Sequence, residues 1–141
     1  MKNTMLLVLS LSLFSCTPYS AKETIPEPQY ETINARITYY DSKQEHWGTQ
    51  VADPNTKKAK FGVTVAAHPD FDFGTEIFIS DLKGIIGNGK FIVQDRGSAV
   101  TKKKAAKKKG YVFDVYCSSP SMRKKMAKNN PMWMEVKILK K

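Results

Sequence analysis

The sequence predicts an all-β domain with little helix, built as a small closed barrel of six strands. Three observations lead there. Short runs rich in β-branched and aromatic residues recur along residues 35–141, bounded by clusters of Gly, Pro, Asn and Asp. Only one segment carries helix signals. A sheet made of so many short strands also loses its exposed edges by closing on itself.

The elements follow in order. Strands are expected at Ala35–Tyr40, Phe61–Ala67, Glu76–Ser80, Lys90–Gln94, Tyr111–Tyr116 and Glu135–Leu139. The turn-forming stretch Gly84-Ile85-Ile86-Gly87-Asn88-Gly89 separates the third from the fourth. The short helix falls between the last two strands. Ser119 can cap it, Pro120 suits its first position, and Met122 and Met126 share one face as core contacts. There is no internal repeat.

Ahead of this domain, residues 1–15 read as a signal peptide. Lys2 gives a positive start, and Met5 to Phe14 give an apolar run shorter than the roughly twenty residues a bilayer span takes. The run ends in Leu13-Phe14-Ser15-Cys16, which resembles a bacterial lipobox with Cys16 as the acylated mature N-terminus. The plainer alternative is an ordinary signal peptide with an incidental cysteine. Residues 16–34 then form a lipid-anchored flexible linker, where Pro18, Pro26 and Pro28 stand among polar residues without apolar periodicity. The expected location is the cell envelope. Thr17 lacks the aspartate that retains some lipoproteins at the inner membrane, so the periplasmic face of the outer membrane is the expected side.

The formal net charge is +10. On an exported protein this points to anionic lipid, lipopolysaccharide or wall-peptide carboxylates and away from nucleic acid. Lys102-Lys103-Lys104-Ala105-Ala106-Lys107-Lys108-Lys109 concentrates it, either as a solvated loop or as a binding patch. With Cys16 lipidated only Cys117 remains, so no intramolecular disulfide forms and packing alone holds the domain. A cysteine-dependent enzyme is disfavoured, because no family signature surrounds Cys117. His46 and His68 have no ligand-spaced partners, so no metal and no other cofactor are expected.

Three constellations can carry chemistry. Asp114 lies in Tyr111-Val112-Phe113-Asp114-Val115-Tyr116, and strand alternation puts it on the face of Val112 and Tyr116. Burial there would raise its pKa and suit a general acid, whereas an outer solvated face would leave an ordinary aspartate. His68, in Ala66-Ala67-His68-Pro69-Asp70-Phe71-Asp72-Phe73-Gly74-Thr75, closes a strand and is either a hydrogen-bonded turn residue or a catalyst. Gln94-Asp95-Arg96-Gly97 follows another apolar strand and by itself is a common turn composition. Trp47 stands in a long loop after the first strand, which Tyr40 and Asp41 end.

Taken in order, these motifs resemble the double-psi β-barrel of bacterial cell-wall enzymes. Ala67-His68 followed by Phe73-Gly74-Thr75, with Asp95-Arg96-Gly97, is similar to the rare lipoprotein A branch. Asp95-Arg96-Gly97-Ser98-Ala99-Val100, followed by Val112-Phe113-Asp114-Val115-Tyr116, is similar to the three-aspartate domain, also the catalytic module of membrane-bound lytic transglycosylase A. The likeness covers about Ala35 to Leu139, with the lysine-rich stretch reading as an insertion between the last two aspartates.

The resemblance implies a six-stranded double-psi barrel that cleaves peptidoglycan glycan strands as a lytic transglycosylase. One carboxyl protonates the bridging oxygen, and the resulting base takes the C6 hydroxyl proton to close a 1,6-anhydromuramoyl ring. Asp114 matches the catalytic aspartate, Asp95 the preceding aspartate, and His68 the histidine of the rare lipoprotein A branch. Arg96 and Gly97, with Trp47, Tyr40 and Asp41, are the expected substrate contacts. A monomer is expected, whose partners are the glycan strands and, through the lipid, the membrane. The alternative is an expansin-like lipoprotein that binds wall glycan without cutting it.

Overall fold

The computed structural model describes residues 27–43, 48–101 and 110–140. The signal peptide, Cys16, His46, Trp47 and the lysine run Lys102–Lys109 therefore lie outside the described residues.

Among the described residues six strands form one sheet: β1 (Tyr30–Asp41), β2 (Thr64–Ala66), β3 (Glu76–Ile79), β4 (Lys90–Asp95), β5 (Val112–Cys117) and β6 (Trp133–Leu139). Every strand has two partners, in the cyclic order β1-β5-β2-β4-β3-β6, so the sheet closes into a barrel. The pairs β1–β5 and β2–β4 run parallel, and the remaining pairings are antiparallel. Among the described residues there are two α-helices, α1 (Ser98–Thr101) and α2 (Pro120–Asn129), and two 3-10 turns at Ser80–Leu82 and Gly87–Gly89.

Strand alternation sorts the side chains. Ala35, Ile37 and Tyr39 of β1 and Phe113, Val115 and Cys117 of β5 point into the main core with Val65, Ile79, Phe91, Val93 and Val136. Phe91 and Phe113 are almost fully buried, each worth about 2 kcal/mol of apolar burial. The outward residues Tyr40, Ala66, Val112 and Tyr116 form a second, smaller cluster with Val100 of α1. Such an outer cluster is what lets a second face of β1 and β5 bury polar groups.

The helix expected after β5 is present as α2. Its cap is the Ser119 hydroxyl, which accepts the Met122 N–H at 3.2 Å, and Met126 is its buried residue. Arg123 fastens it to the barrel through an ion pair with Asp41 at 2.8 Å.

Beyond shifts of one or two residues at strand ends, three features differ from expectation. β1 begins at Tyr30, where a linker to Asn34 was expected, because Tyr30–Arg36 pair with Leu139–Trp133 of β6. That half of β1 leaves Glu31, Thr32 and Asn34 exposed, so its composition looks like a linker. β2 is shorter than Phe61–Ala67, because the N–H groups of Val63 and Thr64 both turn back to the Lys60 carbonyl. α1 is a second helical turn where one helix was expected; the Gly97 carbonyl accepts the N–H groups of Val100 and Thr101.

Candidate functional site

A break in register builds the site. Val65 of β2 pairs with Val93 of β4, yet the next residue, Ala66, pairs with Asp95, so Gln94 is an extra residue in β4. Strict alternation would send Asp95 inward beside Phe91 and Val93. The bulge re-aims it to the outward face, as bulges beside functional sites do. On the other side of Ala66 lies Asp114 of β5, and beyond it Thr38 of β1. Thr38, Asp114, Ala66 and Asp95 thus form one row across four strands.

Both carboxylates in this row are buried, Asp95 at 7% and Asp114 at 8% exposure. They flank Ala66, whose methyl fills little of the space between them. Two strand spacings set their Cα atoms about 10 Å apart. The Thr38 hydroxyl donates to Asp114 Oδ1 at 2.8 Å and fixes that carboxyl in rotation. Asp95 accepts three hydrogen bonds. The N–H groups of Ala52 and Arg96 reach Oδ1 at 3.0 and 2.8 Å, and the Tyr40 hydroxyl reaches Oδ2 at 2.8 Å. Tyr40 in turn lies edge-on to Tyr116, ring centres 5.3 Å apart.

The neighbouring loop closes one side of the row through a polar chain. Thr64 donates to Gln94 Oε1 at 2.7 Å, Gln94 donates to Thr56 at 3.1 Å, and Thr56 donates to Asp53 at 2.7 Å. Asp53 also receives the Asn55 N–H, so this buried acid is a turn anchor. Through Ala52 the same loop delivers its N–H to Asp95.

The remaining expected site residues stand elsewhere. His68 is half-buried in the turn after β2, its Nδ1 3.2 Å from both the amide nitrogen and a carboxyl oxygen of Asp70. Its ring lies 5.8 Å from that of Tyr111, whose hydroxyl donates to Asp70 at 2.8 Å. That bond pushes the Tyr111 hydroxyl pKa up. The turn reading of His68 therefore describes its contacts, which are with Asp70 and Tyr111.

Arg96 is a loop clamp. Its guanidinium donates to the carbonyls of Ala67, Asp95 and Phe71 at 3.3, 3.1 and 2.6 Å, and it lies 4.0 Å over the Phe73 ring. Burial lowers its pKa, against Asp95, Asp72 and Asp53, which act to raise it. Gly97 supplies the carbonyl that starts α1, and the Thr101 hydroxyl also donates to it at 2.8 Å. Asp41 points inward, 1% exposed, and serves the Arg123 ion pair on the opposite face of β1 from Tyr40. Cys117 is fully buried, its thiol pushed up to about 12, chiefly by burial and then by Asp114 and Asp41. A thiol so held is a poor nucleophile at neutral pH.

Thr38 and Ala66 were not among the expected residues. The signal for Thr38 was present, since it alternates with Tyr40 along one face of β1. Among the described residues, no group of three or more His, Cys, Asp or Glu could hold a metal ion. Likewise, among the described residues no helix is long and apolar enough to cross a membrane. No protein-family model matches the chain, and no curated protein matches it.

Proposed function

We propose that the outward row Thr38–Asp114–Ala66–Asp95 is the floor of a glycan-cleaving site, and that the chain is a peptidoglycan lytic transglycosylase on a double-psi β-barrel. The observation that carries this reading is the pair of buried carboxylates on one face, separated only by Ala66. The two parallel pairings inside a closed, otherwise antiparallel sheet support the barrel topology. The resemblance of the Asp95-Arg96-Gly97 and Val112–Tyr116 segments supports the chemistry.

The two acids are equipped differently. Asp114, steadied by Thr38, is the group we assign to protonate the oxygen between the muramoyl and glucosaminyl rings. Its conjugate base then takes the C6 hydroxyl proton as the anhydro ring closes. This sequence needs one carboxyl for proton transfer, unlike hydrolysis by the usual pair. Asp95 accepts from three donors at once, which fits a fixed negative charge that positions Tyr40 and the loop at Ala52. His68 then acts on its turn and not on the sugar.

A lipid on Cys16 would hold this domain at the cell envelope, on the periplasmic face of the outer membrane, within reach of the wall. The working unit is a monomer, and its partners are glycan strands and the membrane. A non-catalytic, expansin-like glycan binder is the second reading, and the engagement of Asp95 and Arg96 in loop anchoring favours it. Digestion of purified peptidoglycan by the mature chain separates the two. Anhydromuramoyl ends found by mass spectrometry support the transglycosylase, reducing ends mean hydrolysis, and retained binding without products favours the binder.

A further inference from the structure

A second concave surface lies away from the aspartate row, on the outward face of β6, β3 and β4. It is a groove of about 660 Å³. Register sets its floor. Phe78 of β3 pairs with Lys90 of β4 on one side and Lys137 of β6 on the other, so a half-buried ring lies between two lysines. Tyr30, 46% exposed, and Ile92 extend the apolar floor, and Glu76 adds one carboxylate.

One wall is built by glycines. Gly62 and Gly87 meet so closely that a Cβ on Gly87 would overlap the Gly62 carbonyl, and both have positive φ, +75° and +58°. The Gly84–Gly89 stretch thus has a use beyond a turn, because it sets the depth of the groove. Among the described residues Lys90 has no ion pair, and Lys137 has only Glu135 at 3.8 Å.

We propose that this groove is a second binding site for the wall polymer, seating an amino-sugar ring on Phe78 and Tyr30 and carboxylates of its attached peptide on Lys90 and Lys137. Flat sugar faces suit aromatic rings. Ammonium groups on strands either side of β3, their Cα atoms about 10 Å apart, suit a ring that carries anionic groups beyond it. A neutral glycan would leave Lys90 without counter-charge and Lys137 with Glu135 alone, and a flat anionic lipid surface would meet Glu76. The volume falls in the range of small-ligand sites, about 300–1,000 Å³. Two sites on one insoluble polymer would keep the domain attached between events by raising the local concentration of substrate. The ligand class rests on the proposed function, but the site does not rest on any catalytic step.

The test is a titration of the isotopically labelled mature chain with N-acetylglucosaminyl-N-acetylmuramoyl tetrapeptide, followed by amide chemical shifts. Saturable shifts at Phe78, Lys90 and Lys137 are expected. In Lys90→Ser/Lys137→Ser they should weaken about tenfold, as loss of two part-exposed charge contacts implies, with Thr38, Asp95 and Asp114 unaffected. Shifts confined to Thr38, Asp95 and Asp114 overturn the second site and leave the proposed function standing. Shifts confined to the groove support the second site and count against the proposed function. Equal response to tetra-N-acetylchitotetraose overturns the role assigned to the lysines, and the same amides responding to phosphatidylglycerol vesicles overturns the site in favour of a lipid surface.

Discussion

Removing the carboxylate of Asp95 tests whether the bulge in β4 is held by what that side chain accepts. Three donors converge on it: the N–H groups of Ala52 and Arg96 on Oδ1 and the Tyr40 hydroxyl on Oδ2. Hydrogen bonds to a charged group contribute about 1.5–3 kcal/mol each, and a buried donor left alone costs about 1–3 kcal/mol. Water at the 7% exposed edge can rescue part of this, so Asp95→Ala should lose about 3–5 kcal/mol. That is a large share of the total stability of a domain, about 5–15 kcal/mol. Asp95→Asn keeps an acceptor for both backbone N–H groups, and the Tyr40 hydroxyl can rotate to accept from the new amide, so about 1 kcal/mol is expected. Tyr40→Phe should also cost about 1 kcal/mol, and the double change should be less than additive. Urea unfolding followed by circular dichroism reads all four. An Asp95→Ala variant within about 1 kcal/mol of the parent would refute the idea that this carboxylate holds the bulge and the loop at Ala52.

Two further outcomes follow from the same geometry. Arg123→Met strands the buried Asp41 carboxylate and should cost about 3 kcal/mol in urea unfolding, and adding Asp41→Asn should restore part of it. Alkaline stability should also fall. Burial pushes the Cys117 thiol from 9.0 up to about 12 and the Tyr39 hydroxyl from 10.0 up to about 12. Both folded-state values are raised, so this stabilisation is complete below pH 9.0 and is lost as pH rises from there toward about 12. The loss should be of order 3 kcal/mol by about pH 10.5, most of it from Cys117, and Cys117→Ala should flatten that slope; an unchanged slope would show that the buried thiol is not its source.

Much of the barrel was legible because its strands announce themselves by composition. The strand expected at Tyr111–Tyr116 is present one residue later as Val112–Cys117, and alternation correctly put Asp114 with Val112 and Tyr116. Ser119 and Pro120 marked α2 because capping chemistry is local. The first half of β1 was not legible, since a strand paired on one side with an exposed face needs few apolar residues. The direction of Asp95 was hidden for a different reason. Alternation would have turned it inward, and only the pairing of Ala66 with Asp95 shows the extra residue. The same alternation placed Asp41 with Ala35, Ile37 and Tyr39, a hint of its inward ion pair that its position at the strand end obscured. Arg96 looked like a ligand-binding cation, but which carbonyls a guanidinium meets depends on the folded loop and not on its neighbours in sequence.

If Asp114 moves the proton in glycan cleavage, Asp114→Asn removes the acid that does so. An amide can keep the Thr38 hydrogen bond through its carbonyl oxygen, so the variant should fold with the parent's circular dichroism and urea midpoint. With purified peptidoglycan as substrate and anhydromuramoyl ends counted by mass spectrometry, the expected rate falls by at least about a hundredfold, as loss of a general acid implies. A folded Asp114→Asn chain that releases anhydromuramoyl products at the parent's rate would rule out proton transfer by Asp114.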